Sequence, residues 1–205
     1  RLFETNLIVS LNATKTKLRI SLFSILFITL IIFTFKRKNY KHKPLKMILC
    51  IIFCLIIIIM PFENLFLKFN TPETAFKYTT NNCDIVKVVK GDQTALVIYR
   101  ERSSTYATVF TKSGAKWKAP FWPDKQSFFR LENGATVCAT KEPNSDSFYI
   151  MITTSKDIKL VNDNQNSDFE IFLEDDYWID YVAYVKNYEG DYIINIDGKE
   201  YKIEI

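Results

Sequence analysis

Histidine is almost absent from this chain of 205 residues, which carries a single imidazole, His42. That residue sits in a run of lysines and arginines, far from the C-terminal part. The C-terminal part therefore has no imidazole for a Ser-His or Cys-His nucleophile and none to ligate zinc. Glycine is nearly as scarce, with five residues, in "KGDQ", "KSGAK", "ENGAT", "YEGDY" and "IDGKE". Each lies between two strand-like runs and is read as a turn. No glycine is then left for a phosphate-cradling loop. These absences predict a protein that is not an enzyme and holds neither cofactor nor metal.

Acidic residues are missing from the start of the chain. Residues 1–62 hold ten Lys/Arg and one acid, Glu4, whereas residues 131–205 hold six basic and sixteen acidic groups. The stretch between, 63–130, has eleven basic and six acidic. A basic stretch followed by an acidic one argues against a nucleic-acid partner for the C-terminal part. It gives the basic residues a topological role instead.

Long apolar runs are present, and there are two. "LRISLFSILFITLIIFTF" covers 18–35 and "MILCIIFCLIIIIMPF" covers 47–62. Crossing a hydrocarbon core of about 30 Å takes roughly 20 apolar residues as a helix. The second run is slightly short, but Lys46 and Glu63 can snorkel at its ends. Both runs are predicted to span the bilayer as a helical hairpin. Between them "KRKNYKHKPLK" (36–46) carries six Lys/Arg, and short positively charged loops stay in the cytoplasm. Residues 63–205 are thereby expected outside the cell membrane. The exit "IIMPFENLF" lacks the small residues of a cleavage site, so the second run is read as an anchor. The first residue is Arg1. Residues 1–17 are read as the stub of something longer and left unassigned.

After the anchor, 63–82 reads as a linker holding one short helix. Thr71 is the candidate N-cap, Pro72 the first helical position, and Glu73 an acid in the first turn. From residue 83 to 205 the hydrophobic period becomes two. Ile179, Tyr181, Ala183 and Val185 share one face with Tyr177, and Tyr201, Ile203 and Ile205 share another. Asn133-Gly134 and Asp197-Gly198 carry the preferred chemistry of two-residue hairpin turns. The fold class predicted is mainly β: two transmembrane helices, then a small antiparallel all-β domain of about nine strands. It is expected to close as a sandwich or a curved meander.

Three features carry candidate chemistry. "KWKAPFWPDK" sets Trp117, Phe121 and Trp122 among Lys118 and Lys125. Aromatic and basic groups together suit contact with a protein or an anionic polymer. The alternative is that these aromatics fold back over the sheet end. "NDNQNSD" (162–168) offers oxygen ligands for Ca²⁺ but lacks the glycine and closing glutamate of an EF-hand loop. It reads as a polar connection. Cys83 and Cys138 would both face an oxidising compartment, and a disulfide between them would be worth roughly 4 kcal/mol.

The segment "FNTPETAFKYTTNNCDIVKVVKGDQTALVIYRE" (69–101) resembles parts of uncharacterised membrane- or lipid-anchored proteins of low-GC Gram-positive bacteria. In these a "TPEEAFKY"-like helix precedes a hairpin in which a glycine separates two apolar strands. The resemblance implies an extracytoplasmic domain and transfers no catalytic residue. It departs from the lipoprotein members in having no acylation cysteine.

The function expected is a membrane-anchored interaction module that binds a protein or a cell-envelope polymer. The alternatives are an accessory or sensory subunit of a membrane complex and, third, a carboxylate-dependent envelope hydrolase.

Overall fold

The computed structural model describes residues 62–80, 83–121, 126–158 and 161–204. It also describes seven isolated helical positions: Ser21, Ser24, Ile25, Ile28, Thr29, Ile48 and Ile52. The two predicted spans otherwise lie outside the described residues, as do residues 1–17 and the basic loop. Among the described residues no helix is long and apolar enough to cross a membrane.

The described residues from 62 to 204 are mainly antiparallel β, with one α-helix and twelve strands among them. After a 3-10 turn, Phe62–Leu65, helix α1 runs Pro72–Thr79. It starts where the sequence places it: extended Thr71 accepts a hydrogen bond from the Thr74 amide (3.2 Å), and Pro72 occupies the first turn. Strands β1 (Asp84–Lys90), β2 (Thr94–Glu101), β3 (Ser104–Ser113) and β4 (Lys116–Lys118) form a first sheet in chain order. A second sheet has the order β5-β6-β7-β10-β9. Its strands are β5 (Gln126–Arg130), β6 (Thr136–Lys141), β7 (Phe148–Ser155), β9 (Glu170–Glu174) and β10 (Trp178–Val185). The third sheet is β12-β11-β8, from β8 (Val161–Asp163), β11 (Tyr192–Ile196) and β12 (Lys199–Ile203).

Alternation along the strands stacks these elements in layers. On β2, Ala95 and Val97 pack with Ala75 and Phe76 of α1, together with Phe110 and Trp117. Leu96 and Ile98, in the opposite phase, meet Tyr149 and Val182 of the second sheet. The other face of the second sheet (Val137, Ile150, Ile152, Tyr181, Ala183) packs on Tyr192, Ile194, Ile196 and Ile203 of the third. The order is helix, sheet, sheet, sheet. A middle sheet covered on both faces needs apolar residues in both phases. That is why Val137 to Thr140 are all buried and "TVCATK" shows little alternation.

Three readings of the sequence change here. The chain is not a simple meander, because β8 leaves for the third sheet and β10 inserts between β7 and β9. The segment 63–82 is more than a linker, since Ala75, Phe76 and Tyr78 are buried and Phe69 bridges to Trp117. Asp197-Gly198 does make a turn with positive φ at both residues (52° and 84°), but at Asn133-Gly134 only the glycine is positive (83°). There the Gly134 amide donates to the Leu131 carbonyl (3.0 Å) and Leu131 to Ala135 (2.8 Å), giving a three-residue loop.

At the end of β10 where the β9–β10 turn lies, Asp180 accepts a hydrogen bond from the Thr153 hydroxyl (2.6 Å). Burial pushes its carboxyl above the ordinary value, against the lowering effect of that bond. A raised carboxylate favours the protonated native state. Its charge therefore costs stability at neutral pH, and the cost shrinks as pH falls below the folded value and is gone below the unfolded one. Asp180→Asn keeps the acceptor oxygen without the charge. It is expected to raise the Tm at pH 7, and the gain should shrink as unfolding is followed into acid.

Candidate functional site

At the opposite end of the strands lies a cavity of about 730 Å³, within the size range of small-ligand pockets. Its floor is the seam between the first two sheets, at Val109 and Thr111 of β3. One wall is the exit of β4, Lys118 to Phe121, and the other is the β6–β7 turn, Lys141 to Asp146. Asn64 and Leu65 complete it from the 3-10 turn.

Each wall is fixed by identifiable contacts. The Asn64 side-chain amide donates to the Pro120 carbonyl (2.8 Å), and Lys118 Nζ donates to the Leu65 carbonyl (3.1 Å). Phe69 and Trp117 exchange two backbone hydrogen bonds, at 2.8 and 2.7 Å. The β6–β7 turn closes through the Glu142 amide on the Ser147 carbonyl (2.9 Å), and Asn144 takes the left-handed conformation (φ 58°) it needs. Asn64 is 5% exposed, and its Oδ1 finds no hydrogen-bond partner among the described residues.

Behind the turn a buried polar network holds the two sheets in register. Glu142, 3% exposed, lies in phase with Cys138 and Thr140 and so points between the sheets. Its Oε1 accepts from the Thr94 hydroxyl (2.6 Å) and the Gln93 amide (3.3 Å), and its Oε2 from the Tyr184 hydroxyl (3.0 Å). Thr94 and Tyr149 share a further hydrogen bond (2.7 Å), and burial drives the Tyr149 phenol far above its ordinary pKa. Gly91 leaves room for this cluster. A Cβ there would stand 2.5 Å from the Tyr149 hydroxyl oxygen and 2.7 Å from the Tyr184 ring. Gly91 is thus required for close approach, not for a positive φ.

Because Glu142 spends its oxygens on these donors, its chief work is structural. Glu142→Ala should cost about 3 kcal/mol, leaving the Gln93 amide and the Tyr184 hydroxyl short of an acceptor. Glu142→Gln keeps Oε1 and presents an NH₂ to which the Tyr184 oxygen can turn, so about 1 kcal/mol is expected. Urea unfolding at neutral pH measures both.

The residues singled out from the sequence divide. Lys118 and Phe121 line the cavity, half-buried. Trp117 does not: it is 9% exposed and packs beside Phe76 and Phe110. Its strand pairs with Phe69 on one side and β3 on the other, which turns the indole inward under α1. Trp122 and Lys125 lie outside the described residues. Cys83 and Cys138 are both thiols with no disulfide. Cys83 packs with the helix layer, while Cys138 is buried on β6 in the second sheet. Burial raises both thiol pKa values. In "NDNQNSD", Asp163 accepts from the Tyr192 hydroxyl (2.6 Å) and from the amides of Gln165 (3.1 Å) and Ser167 (2.8 Å). That loop is held by its own side chain. Among the described residues no cluster of three His, Cys, Asp or Glu is placed to hold a metal.

Sequence reasoning missed the β6–β7 turn. A signal was there in "TVCATKEP", where Glu142 continues the phase of Cys138 and Thr140 and would put a carboxylate inside.

The cavity walls combine Leu65, Pro120, Phe121 and Pro143 with the ammonium groups of Lys118 and Lys141. Lys118 uses one donor on Leu65, and Lys141 pairs loosely with Asp146 (3.7 Å). Both keep donors for an anionic group beside an apolar stem. Comparison with protein-family models, curated proteins and solved structures gives no match to this chain.

Proposed function

We propose that this chain is a membrane-anchored, extracytoplasmic interaction module, and that its ligand enters the cavity between the β4 exit and the β6–β7 turn. The observation that carries the reading is the cavity itself, with apolar walls, Lys118 at its edge, and Lys141 beside Asp146. It suits a ligand that places a negative charge next to an apolar segment, as envelope polymers and acidic protein surfaces do. The anchor is supported by the apolar runs 18–35 and 47–62, and the outward orientation by the six Lys/Arg between them.

Placing a photoreactive phenylalanine analogue at Phe121, and separately at Tyr177 in the distant β9–β10 turn, tests this in intact cells. A covalent adduct, identified by mass spectrometry, is expected from position 121 and not from 177. No adduct at 121, or the same adducts from both positions, would contradict it.

A further inference from the structure

The cavity is not free to roam relative to the end of the second apolar run. That run ends at Phe62, and Phe62–Leu65 is a 3-10 turn. Such a turn rises about 2 Å per residue, so Leu65 stands roughly 6 Å from the end of the run. Leu65 is itself a cavity wall, and its carbonyl is held by Lys118. Asn64 is tied to Pro120, and Phe69 is paired to Trp117. Between the run and the β domain there is therefore no slack segment. The chain is hydrogen-bonded to the domain from its second residue after Phe62.

At this junction the surface is apolar and basic. Phe66 is 79% exposed and Leu65 43%, large apolar side chains presented to water immediately beyond an apolar run. Lys68 is exposed two residues after Phe66, Lys116 is exposed beside Trp117, which bridges to Phe69, and Lys118 and Lys141 lie on the cavity, the latter paired with Asp146. The layering keeps the basic part of the chain together, since residues 64–118 build the helix layer and first sheet, while the acidic part builds the other two. An apolar pair flanked by lysines is the composition that settles at a bilayer interface. The polar layer of a membrane is about 5–7 Å deep on each side of the hydrocarbon. A junction of roughly 6 Å, after a run slightly short of the hydrocarbon thickness, brings Leu65 to the boundary of that layer.

We infer that the β domain lies docked on the outer face of the bilayer, with Leu65 and Phe66 among the lipid headgroups and the cavity opening onto them. The partner of this surface is the phospholipid headgroup layer. This rests on the membrane-anchored reading above and deepens it: a ligand that reaches the cavity does so along the membrane surface. The opposite end, at the β9–β10 turn, stands away from the lipid. Strands β7 and β10 pair over eight residues from Phe148 to Ser155, which at about 3.3 Å per residue separates the two ends by roughly 23 Å.

The full chain in nanodiscs of three parts phosphatidylcholine to one part phosphatidylglycerol provides the test. A fluorescent amino acid is incorporated at Asn144, on the cavity, or at Asp176, in the far turn, and quenched by headgroup-nitroxide lipid. Quenching at 144 is expected to exceed that at 176 by at least threefold. In the Leu65→Asp/Phe66→Asp double variant the difference should fall toward one, with the circular dichroism spectrum unchanged. Equal quenching at the two positions, in protein that stays in the nanodisc after an alkaline carbonate wash, overturns the docking and leaves the anchor standing. Protein released by that wash overturns the anchor as well.

Discussion

A fragment that begins at residue 83 is expected to lose its cooperative unfolding transition and aggregate, whereas one that begins at residue 64 should unfold as a single β-rich unit. The reason lies in the helix layer. Ala75 and Phe76 of α1 are 0 and 1% exposed and cover Ala95, Val97 and Phe110 of the first sheet, while Tyr78, 2% exposed, packs on the Phe69 ring. Truncating one buried aromatic costs about 3–5 kcal/mol. Losing two, in a domain whose whole stability is about 5–15 kcal/mol, leaves no margin. Removal also strips Phe69 from β4, which then has an unpaired edge carrying Trp117. Urea titration followed by far-ultraviolet circular dichroism compares the fragments. A fragment from 83 with an intact transition would mean that the first sheet does not need its helix.

The second expected effect concerns Trp117. Its substitution by alanine should destabilise the domain by about 3–5 kcal/mol, the cost of emptying a large aromatic site in a packed cluster. The indole lies between α1 and the first sheet with Phe76, Phe110 and Ala119, so no neighbour can refill the space without moving the helix. At about 3 °C per kcal/mol for a domain of this size, the Tm should fall by roughly 10 °C. Lys118→Ala, one residue on, removes a cavity side chain whose bond to the Leu65 carbonyl is exposed. It should change the Tm by no more than about 2 °C. A small effect at Trp117 with a large one at Lys118 would reverse the assignment of core and cavity.

Local structure was legible in the sequence where a single element decides it. Thr71, Pro72 and Glu73 announce α1, and Asp197-Gly198 announces its hairpin, because caps and tight turns depend on residues a few positions apart. The inward phase of Ile179, Tyr181, Ala183 and Val185 was readable too, since one face of β10 meets the third sheet. Tyr177 falls outside that phase because it sits in the turn, 75% exposed.

What escaped is set by long-range packing. Val137 to Thr140 are buried in both phases because sheets lie on either side of β6, and no local pattern says how many layers there are. Gly91 resembles the other turn glycines, yet its constraint comes from Tyr149 and Tyr184, more than fifty residues away. The aromatic-basic segment mixed two environments within a few positions. Alternation sends Trp117 inward and Lys118 to the cavity, and only the pairing of β4 with Phe69 and β3 fixes which is which. The cavity itself joins residues from 64, 109, 120 and 143, which sequence proximity could not assemble.

The orientation of the chain is decided by protease digestion of intact protoplasts carrying one epitope after residue 205 and another within the basic loop 36–46. The C-terminal epitope is expected to be lost and the loop epitope to be spared until the membrane is opened by detergent. A C-terminal epitope that stays protected, while an external control protein is digested, would contradict it.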